Sequence, residues 1–300
     1  MHPKVSIIIL NWNGLKDTLE CLESISKISY SNYEIIIVDN NSKGNDVEII
    51  EKEYGNIIKK IMVNECNLGF SGGCNVGINY ALHNNTEFVL LLNNDTIVEN
   101  DFLDELIKTA LSVPYAGIVG PIIGYYYDRE KIWSAYGSIS KIRSSGFTKK
   151  FNTKIDLLNK NEQCTFLSGC CQLIRKDVIE KIGLLDEKYF LYLEDTDYCW
   201  RTSKAGYKIV MVAKSKIYHK VNVSSRRDNS LTPFYYTTRN RFYFAKKSFG
   251  NLYFLAYWYI ILSMKIKLLI DQQKLKKQDI FIKAVSDFKN NIMGQSTIKP

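Results

Sequence analysis

Short, almost wholly apolar runs alternate with amphipathic segments over the first 120 residues, and this alternation restricts the fold more than any other feature of the chain. Val5–Leu10, Glu34–Asp39, Ile57–Val63, Phe88–Leu92 and Gly117–Ile123 read as strands. Between them lie helical patterns: one with Leu15, Leu19, Leu22 and Ile25 on a single face, then Val47–Tyr54, Cys74–His83 and Phe102–Leu111. Strands that are apolar on both faces need cover on both. The expectation is an α/β fold with a mainly parallel, Rossmann-like sheet flanked by helices.

Beyond Tyr125 the pattern turns irregular, and the polar Ser/Lys/Asn stretch of residues 137–162 reads as a loop over a cleft. Regular structure is expected again in a strand Cys164–Ile174, a helix Lys176–Ile182 and a helix from Thr196 to Ala205 stopped by Gly206. Lys208–Val212 and Lys216–Lys220 read as two further strands.

Charge divides the chain. Residues 201–300 hold 20 Lys/Arg against 4 Asp/Glu, whereas the whole chain nets only +9. Such a basic tail favours anionic partners. Within it, Leu252–Leu262 is apolar and aromatic, preceded by Arg239, Arg241, Lys246 and Lys247 and ended by Lys265 and Lys267. That run is shorter than the roughly 20 apolar residues a spanning helix needs. It reads as an interfacial helix on an anionic membrane surface, or as a helix packed on the core with a solvated basic face. Basic residues interleaved with aromatics speak against nucleic acid as the partner. Seven scattered cysteines without a C-x-x-C pair exclude a zinc-site pattern and suit reduced thiols. The N-terminus enters a strand directly, without signal-peptide regions, so a cytoplasmic protein is expected, peripheral on the inner face of the cell membrane.

Ligands of doubly wound sheets sit at the carboxyl ends of the strands. Here those ends are Asn11-Trp-Asn13-Gly14, Asp39-Asn-Asn-Ser42 and Asn93-Asn94-Asp95. Asn and Asp also serve as turn and cap residues, which accounts for any one of these but less readily for three at one edge. The run Asn67-Leu-Gly69-Phe-Ser-Gly-Gly73-Cys-Asn75-Val-Gly77 suits close backbone approach to phosphate. The loop after the first strand holds only Gly14, which rules against a dinucleotide fingerprint. Asp95, with Asn93 beside it, offers oxygen ligands for Mg²⁺ or Mn²⁺. Glu194, Asp195 and Asp197 fall within four positions, beside Tyr192, Trp200 and Arg201. Like charge at that density calls for a cation or a chemical task.

Taken in order over roughly residues 4–245, these motifs resemble the family-2 glycosyltransferases, and most of all the rhamnosyltransferase-like enzymes of bacterial surface polysaccharide synthesis. The resemblance implies a GT-A fold, inversion at the anomeric carbon, a divalent cation and a nucleoside-diphosphate sugar donor, dTDP- or UDP-linked. The acceptor it implies is a glycan or lipid-linked glycan. It places Asp39 on the nucleobase with Asn11 and Asn13 nearby, and Asn67, Gly69, Gly73 and Asn75 along the nucleotide and donor. Asn93-Asn94-Asp95 takes the Asp-x-Asp position, with Asp95 and His219 as metal ligands. Asn93 departs from the general motif, which should weaken metal binding without the nucleotide diphosphate. Asp195 matches the catalytic base, with Glu194, Asp197, Trp200 and Arg201 in support. For Trp200, stacking on an acceptor sugar and packing in the core stand as equal alternatives.

The implied organisation is a glycosyltransferase domain over residues 1–230, with a nucleotide-sugar half to about 120 and an acceptor half beyond. A basic, aromatic, helical extension then covers 231–300. Two other classes compete. A nucleotidyltransferase should carry a Gly- and Arg-rich loop where Asn11–Leu15 stands, and a non-catalytic membrane-binding protein leaves the acidic cluster without a task.

Overall fold

A computed structural model describes residues 2–221, 231–270 and 274–296. In chain order the first half contains β1 (Val5–Asn11), α1 (Leu15–Ile25), β2 (Tyr33–Asp39), α2 (Asp46–Tyr54), β3 (Ile58–Val63), α3 (Gly69–His83), β4 (Phe88–Asn93), β5 (Thr96–Val98), α4 (Phe102–Ser112) and β6 (Ala116–Tyr125). There follow β7 (Ile132–Ser134), β8 (Gly137–Ser140), β9 (Ser145–Thr148), β10 (Glu162–Cys164), β11 (Cys171–Arg175), α5 (Lys176–Ile182), α6 (Glu194–Lys204) and β12 (Lys208–His219). Three helices close the described chain: α7 (Leu231–Ser248), α8 (Tyr253–Ile270) and α9 (Lys274–Lys289).

One sheet runs in the order β10-β12-β6-β11-β4-β1-β2-β3, with β5 on β12 and β7 on β6. β3, β2, β1 and β4 are parallel, as are β6 and β12, while β11 is inserted antiparallel between β4 and β6. Alternation along β1 sends Ile7 and Ile9 to one face, against Leu22, Ile25 and Leu106, and Ile8 to the other, against Ile78 and Ala81. Each fully buried side chain of this size contributes about 1.5–3 kcal/mol, so the two-sided core fixes strand register and with it the strand ends.

Several local expectations change for physical reasons. The strand expected at Cys164–Ile174 is two strands on different neighbours, and the turn between them leaves the sheet toward a cleft. The glycine-rich run forms the first turns of α3, which begins at Gly69 rather than Cys74. Its glycines let the helix lie against the sheet: a Cβ on Gly77 would stand 2.6 Å from Ile8 Cγ2. α6 begins at Glu194, so the acidic cluster forms its first turn. Lys208–Val212 and Lys216–Lys220 are one strand with a register shift. α8 runs on past Lys265 and Lys267, and the segment Gly250–Leu269 is long and apolar enough, by length and composition, to cross a membrane. Lysine does not end a helix whose stem can lie along apolar surface. The expected junction at residue 230 lies outside the described residues.

α7, α8 and α9 share a small core of Phe242, Ile260, Met264, Phe281 and Phe288. α7 also packs on the chain before α6, through Phe244 and Ala245 against Tyr189 and Leu193. Arg239, expected on the basic surface, is fully buried, and Lys247 is tied to Asp186 and Asp197. Neither is free to meet a headgroup.

Replacing Gly77 by valine should overpack Ile8 and Val38 and lower the unfolding free energy by about 1–3 kcal/mol. Urea denaturation measures it; an unchanged midpoint would mean that α3 has slack against the sheet.

Candidate active site

Three strand ends supply the floor of the site. Asn11 is fully buried, and its Nδ2 donates to Asp39 Oδ1 at 2.8 Å, Ser42 Oγ at 3.1 Å and Asp46 Oδ2 at 3.1 Å. Asp39 also accepts from Ser42 N at 2.8 Å and Ser42 Oγ at 2.6 Å. Asn94 joins the network through Thr18, which in turn donates to Asn11 Oδ1. The structure therefore places Asn11, Asp39 and Asn94 in an internal lattice beneath the strand ends, with Trp12 and Asn13 exposed above it.

A cleft of about 560 Å³ lies beside this floor. β4 brings Asn93 and Asp95 to it, β12 brings His219 and Lys220, and the start of α6 brings Glu194 and Asp195. The strand-end carboxylate and the acidic cluster, about a hundred residues apart in sequence, thus face one space. His219 Nε2 stands 2.9 Å and 3.0 Å from the two Asp95 oxygens. Burial alone would raise the Asp95 pKa, but His219 and then Lys220 outweigh it and hold the carboxyl below its ordinary value. Trp133, which the sequence did not single out, sets its ring edge-on to His219 with centroids 4.5 Å apart. The side-chain oxygen of Asn93 and Nδ1 of His219 are buried without a hydrogen-bond partner among the described residues.

Across the cleft, Asp195 is oriented by three donors: Gly169 N at 3.0 Å on Oδ2, and Thr196 N at 2.6 Å and Thr196 Oγ1 at 3.2 Å on Oδ1. The Gly169 contact explains why the chain leaves the sheet after β10. Burial raises the Asp195 pKa despite these donors. Burial and the charge of Asp195 push Glu194 up to about 8, and its Oε2 has no partner among the described residues.

The segment leading into α6 is strained. Phe190, Tyr192 and Leu193 all have positive φ, at 60°, 67° and 72°, and none is glycine. Such conformations cost about 1–3 kcal/mol each and persist only where the surroundings over-determine them. Asn240 Nδ2 on α7 lies 2.9 Å from each of the carbonyls of Tyr189, Leu191 and Tyr192. Arg239 adds a bond to Tyr189 O, Phe70 N donates to Phe190 O at 2.7 Å, and Phe190 stacks on Tyr236. Gly69 has φ +74° and a Cβ there would meet Phe190 O at 2.4 Å, so only glycine lets α3 start against this turn. Asn67 Oδ1 accepts from Gly69 N at 2.8 Å, and Gly73 packs on Leu10 and Asn40.

Other expected site residues lie elsewhere. Asp197 is fully buried and bonded to Tyr189, Arg201 and Lys247, turned away from the cleft. Arg201 uses its remaining donors on Ile182 O and Leu184 O, joining α5 to α6. Trp200 packs edge-on to Phe244 and Phe249, the core alternative, with Lys204 over its face. Asn75 bonds Leu185 and Glu187 instead of lining the cleft.

Residues 6–183 match the family described as glycosyl transferase family 2. A low-salt glycan biosynthesis hexosyltransferase of Haloferax volcanii is 29% identical over 263 residues, covering 84% of this chain and 78% of that protein. A dTDP-rhamnosyl transferase of Shigella flexneri is 24% identical over 258 residues, covering 83% and 82%. Among solved structures, a mannosyltransferase from Pyrobaculum calidifontis in complex with GDP-Man and Mn²⁺ superposes with a TM-score of 0.61 at 13% identity, covering 97% of this chain and 88% of that one. The fold is GT-A.

A carboxyl whose pKa is raised on folding stabilises fully below its unfolded value, and that contribution is lost as pH rises through the folded value. For Glu194 the window runs from 4.5 to about 8. Glu194→Gln should match the wild-type stability near pH 4 and exceed it increasingly toward pH 8, by no more than about 1.4 kcal/mol per pH unit. Thermal melts across this range, without added metal, check it; a constant difference would remove Glu194 as a buried neutral acid.

Proposed function

The chain belongs to glycosyl transferase family 2, and on that premise we propose that it moves a sugar from a nucleoside-diphosphate donor to a hydroxyl of a glycan or lipid-linked glycan acceptor. Rhamnose carried on dTDP is the first candidate, since a dTDP-rhamnosyl transferase is among the relatives. The setting is cell-surface polysaccharide synthesis. The observation that carries the reading is Asp195, fixed by Gly169 and Thr196, facing Asp95 and His219 across one cleft.

The acceptor oxygen attacks the anomeric carbon from the face opposite the diphosphate, the carbon–oxygen bond to the diphosphate breaks, and the configuration inverts. Asp195, which lines the cleft, takes the hydroxyl proton. Burial raises its proton affinity, the direction that favours a general base. Neutral Glu194 beside it donates a hydrogen bond toward the acceptor without competing for the proton.

The donors present suit Mg²⁺ or Mn²⁺: a strand-end carboxylate, an imidazole and the unpartnered buried oxygen of Asn93. Among the described residues no group of three His, Cys, Asp or Glu could hold an ion. Asp95 and His219 would hold it, with asparagine standing where the general motif has a second carboxylate. When bound, such an ion supplies charge neutralisation at the leaving diphosphate.

We also infer a peripheral site of action on the cytoplasmic face of the membrane. Phe254, Leu255, Trp258, Leu262, Ile266 and Leu269 are exposed along one side of α8, with Lys265 and Lys267 beside them. That combination supports docking to an anionic surface. On this reading residues 1–230 carry the chemistry, and 231–300 hold the turn before α6 and meet the membrane.

Calorimetric titration with dTDP, UDP and GDP, each with and without Mn²⁺, should show metal-dependent binding of one of them. Binding of none would sink the reading. Asp195→Asn should abolish transfer and leave nucleotide affinity unchanged, and normal turnover would remove Asp195 as the base. Asp95→Ala should weaken Mn²⁺-dependent nucleotide binding by about tenfold, or about 1.4 kcal/mol.

A further inference from the structure

We propose that a second cavity, cradled by α7, α8, α9 and the β8–β9 turn, binds the diphosphate of a lipid-linked acceptor. This rests on the glycosyltransferase reading above and names the acceptor class. The cavity measures about 720 Å³, and Arg143, Arg241, Lys267, Lys277, Tyr259 and Ser263 contribute to its lining, with no acidic side chain among the described lining residues. Among the described residues, no carboxylate pairs with Arg143, Arg241 or Lys267. Arg241 is half-buried, with Nε donating to Arg143 O at 2.7 Å. Burial and the neighbouring Arg143 lower the pKa of its guanidinium. Like charges gathered in a recess are stabilised by an anion, and guanidinium forks match phosphate oxygens.

Position selects which anion. Leu193 lines this cavity, and the next two residues, Glu194 and Asp195, line the catalytic cleft. Gly146, also in the lining, donates to Thr196 Oγ1 at 3.4 Å, and Thr196 in turn bonds Asp195. One turn of chain thus separates the cation recess from the base. In a sugar carried on a lipid diphosphate, the charged group is attached to the sugar that presents the reacting hydroxyl. Its site must therefore adjoin the base, with an apolar exit for the lipid. α8 supplies the exit. Tyr259, Ser263 and Lys267 recur every fourth residue, each one position on from exposed Trp258, Leu262 and Ile266, so the recess and the apolar stripe occupy adjoining faces.

The test uses farnesyl diphosphate in non-ionic micelles, with the cleft saturated by nucleotide and Mn²⁺, and with farnesol and inorganic diphosphate as controls. Farnesyl diphosphate should bind more tightly than either control. Arg143→Gln and Arg241→Gln should each weaken it about tenfold or more, with nucleotide affinity unchanged. Should Arg241→Gln fail to fold by thermal melt, Lys267→Ala on the exposed side of α8 decides, with a severalfold loss expected. Undiminished affinity in the folded variants, or binding equal to farnesol, overturns the proposal. So does a loss confined to phosphatidylglycerol vesicles, which would make the recess a bilayer headgroup site. Failure of the glycosyltransferase reading shows separately, as absent nucleotide binding in the wild type.

Discussion

The side-chain amide of Asn240 sits against three carbonyls of one turn, those of Tyr189, Leu191 and Tyr192, and shares two N–H bonds among them. The placement of the acidic pair follows from that contact. Three non-glycine residues in the left-handed region just before α6 would relax in an isolated peptide. Here Asn240 and Arg239 hold them from one side and the start of α3 from the other. Relaxation of the turn would swing the first turn of α6, and with it Glu194 and Asp195, relative to the strand ends. The strand ends cannot follow, since both faces of their sheet are buried.

This arrangement makes the C-terminal helices part of what shapes the cleft. Arg239 reaches from the turn to Gly294 O at 2.9 Å, and Tyr235, on the same helix, bonds Asp287 on α9. The helical unit that presents an apolar face outward therefore also grips the segment that leads into Glu194 and Asp195. On the proposed function, the exposed apolar face of α8 and the α7 residues that hold the turn before α6 belong to one packed helical unit.

Much of this was legible in the sequence where the signal is local. Apolar runs ending in Asn or Asp gave the strands and the sheet edge where the cleft lies, and carboxylate density at residues 194–197 pointed to residues that line it, Glu194 and Asp195. Charge and spacing alone did not separate Asp195 from Asp197; only the family resemblance did. Their difference lies in partners that arrive from elsewhere, Gly169 for one and Lys247 for the other. The expected start of α3 at Cys74 came too late because glycine is a poor helix former, and packing against Ile8 and Val38 overrides that propensity. Asn240 carried no signal at all: a single amide in an aromatic helix acquires its role only from a turn about fifty residues away, built from residue types that do not announce a left-handed backbone.

The most direct test of the account is turnover of Asn240→Ala, measured with the donor and acceptor that the wild-type protein uses and alongside its nucleotide affinity in Mn²⁺. Misplacing a base by about an ångström costs on the order of 10²-fold in rate, so kcat should fall by that amount while nucleotide affinity stays at the wild-type value. A folded Asn240→Ala protein with undiminished kcat would contradict the claim that this amide positions the acidic pair.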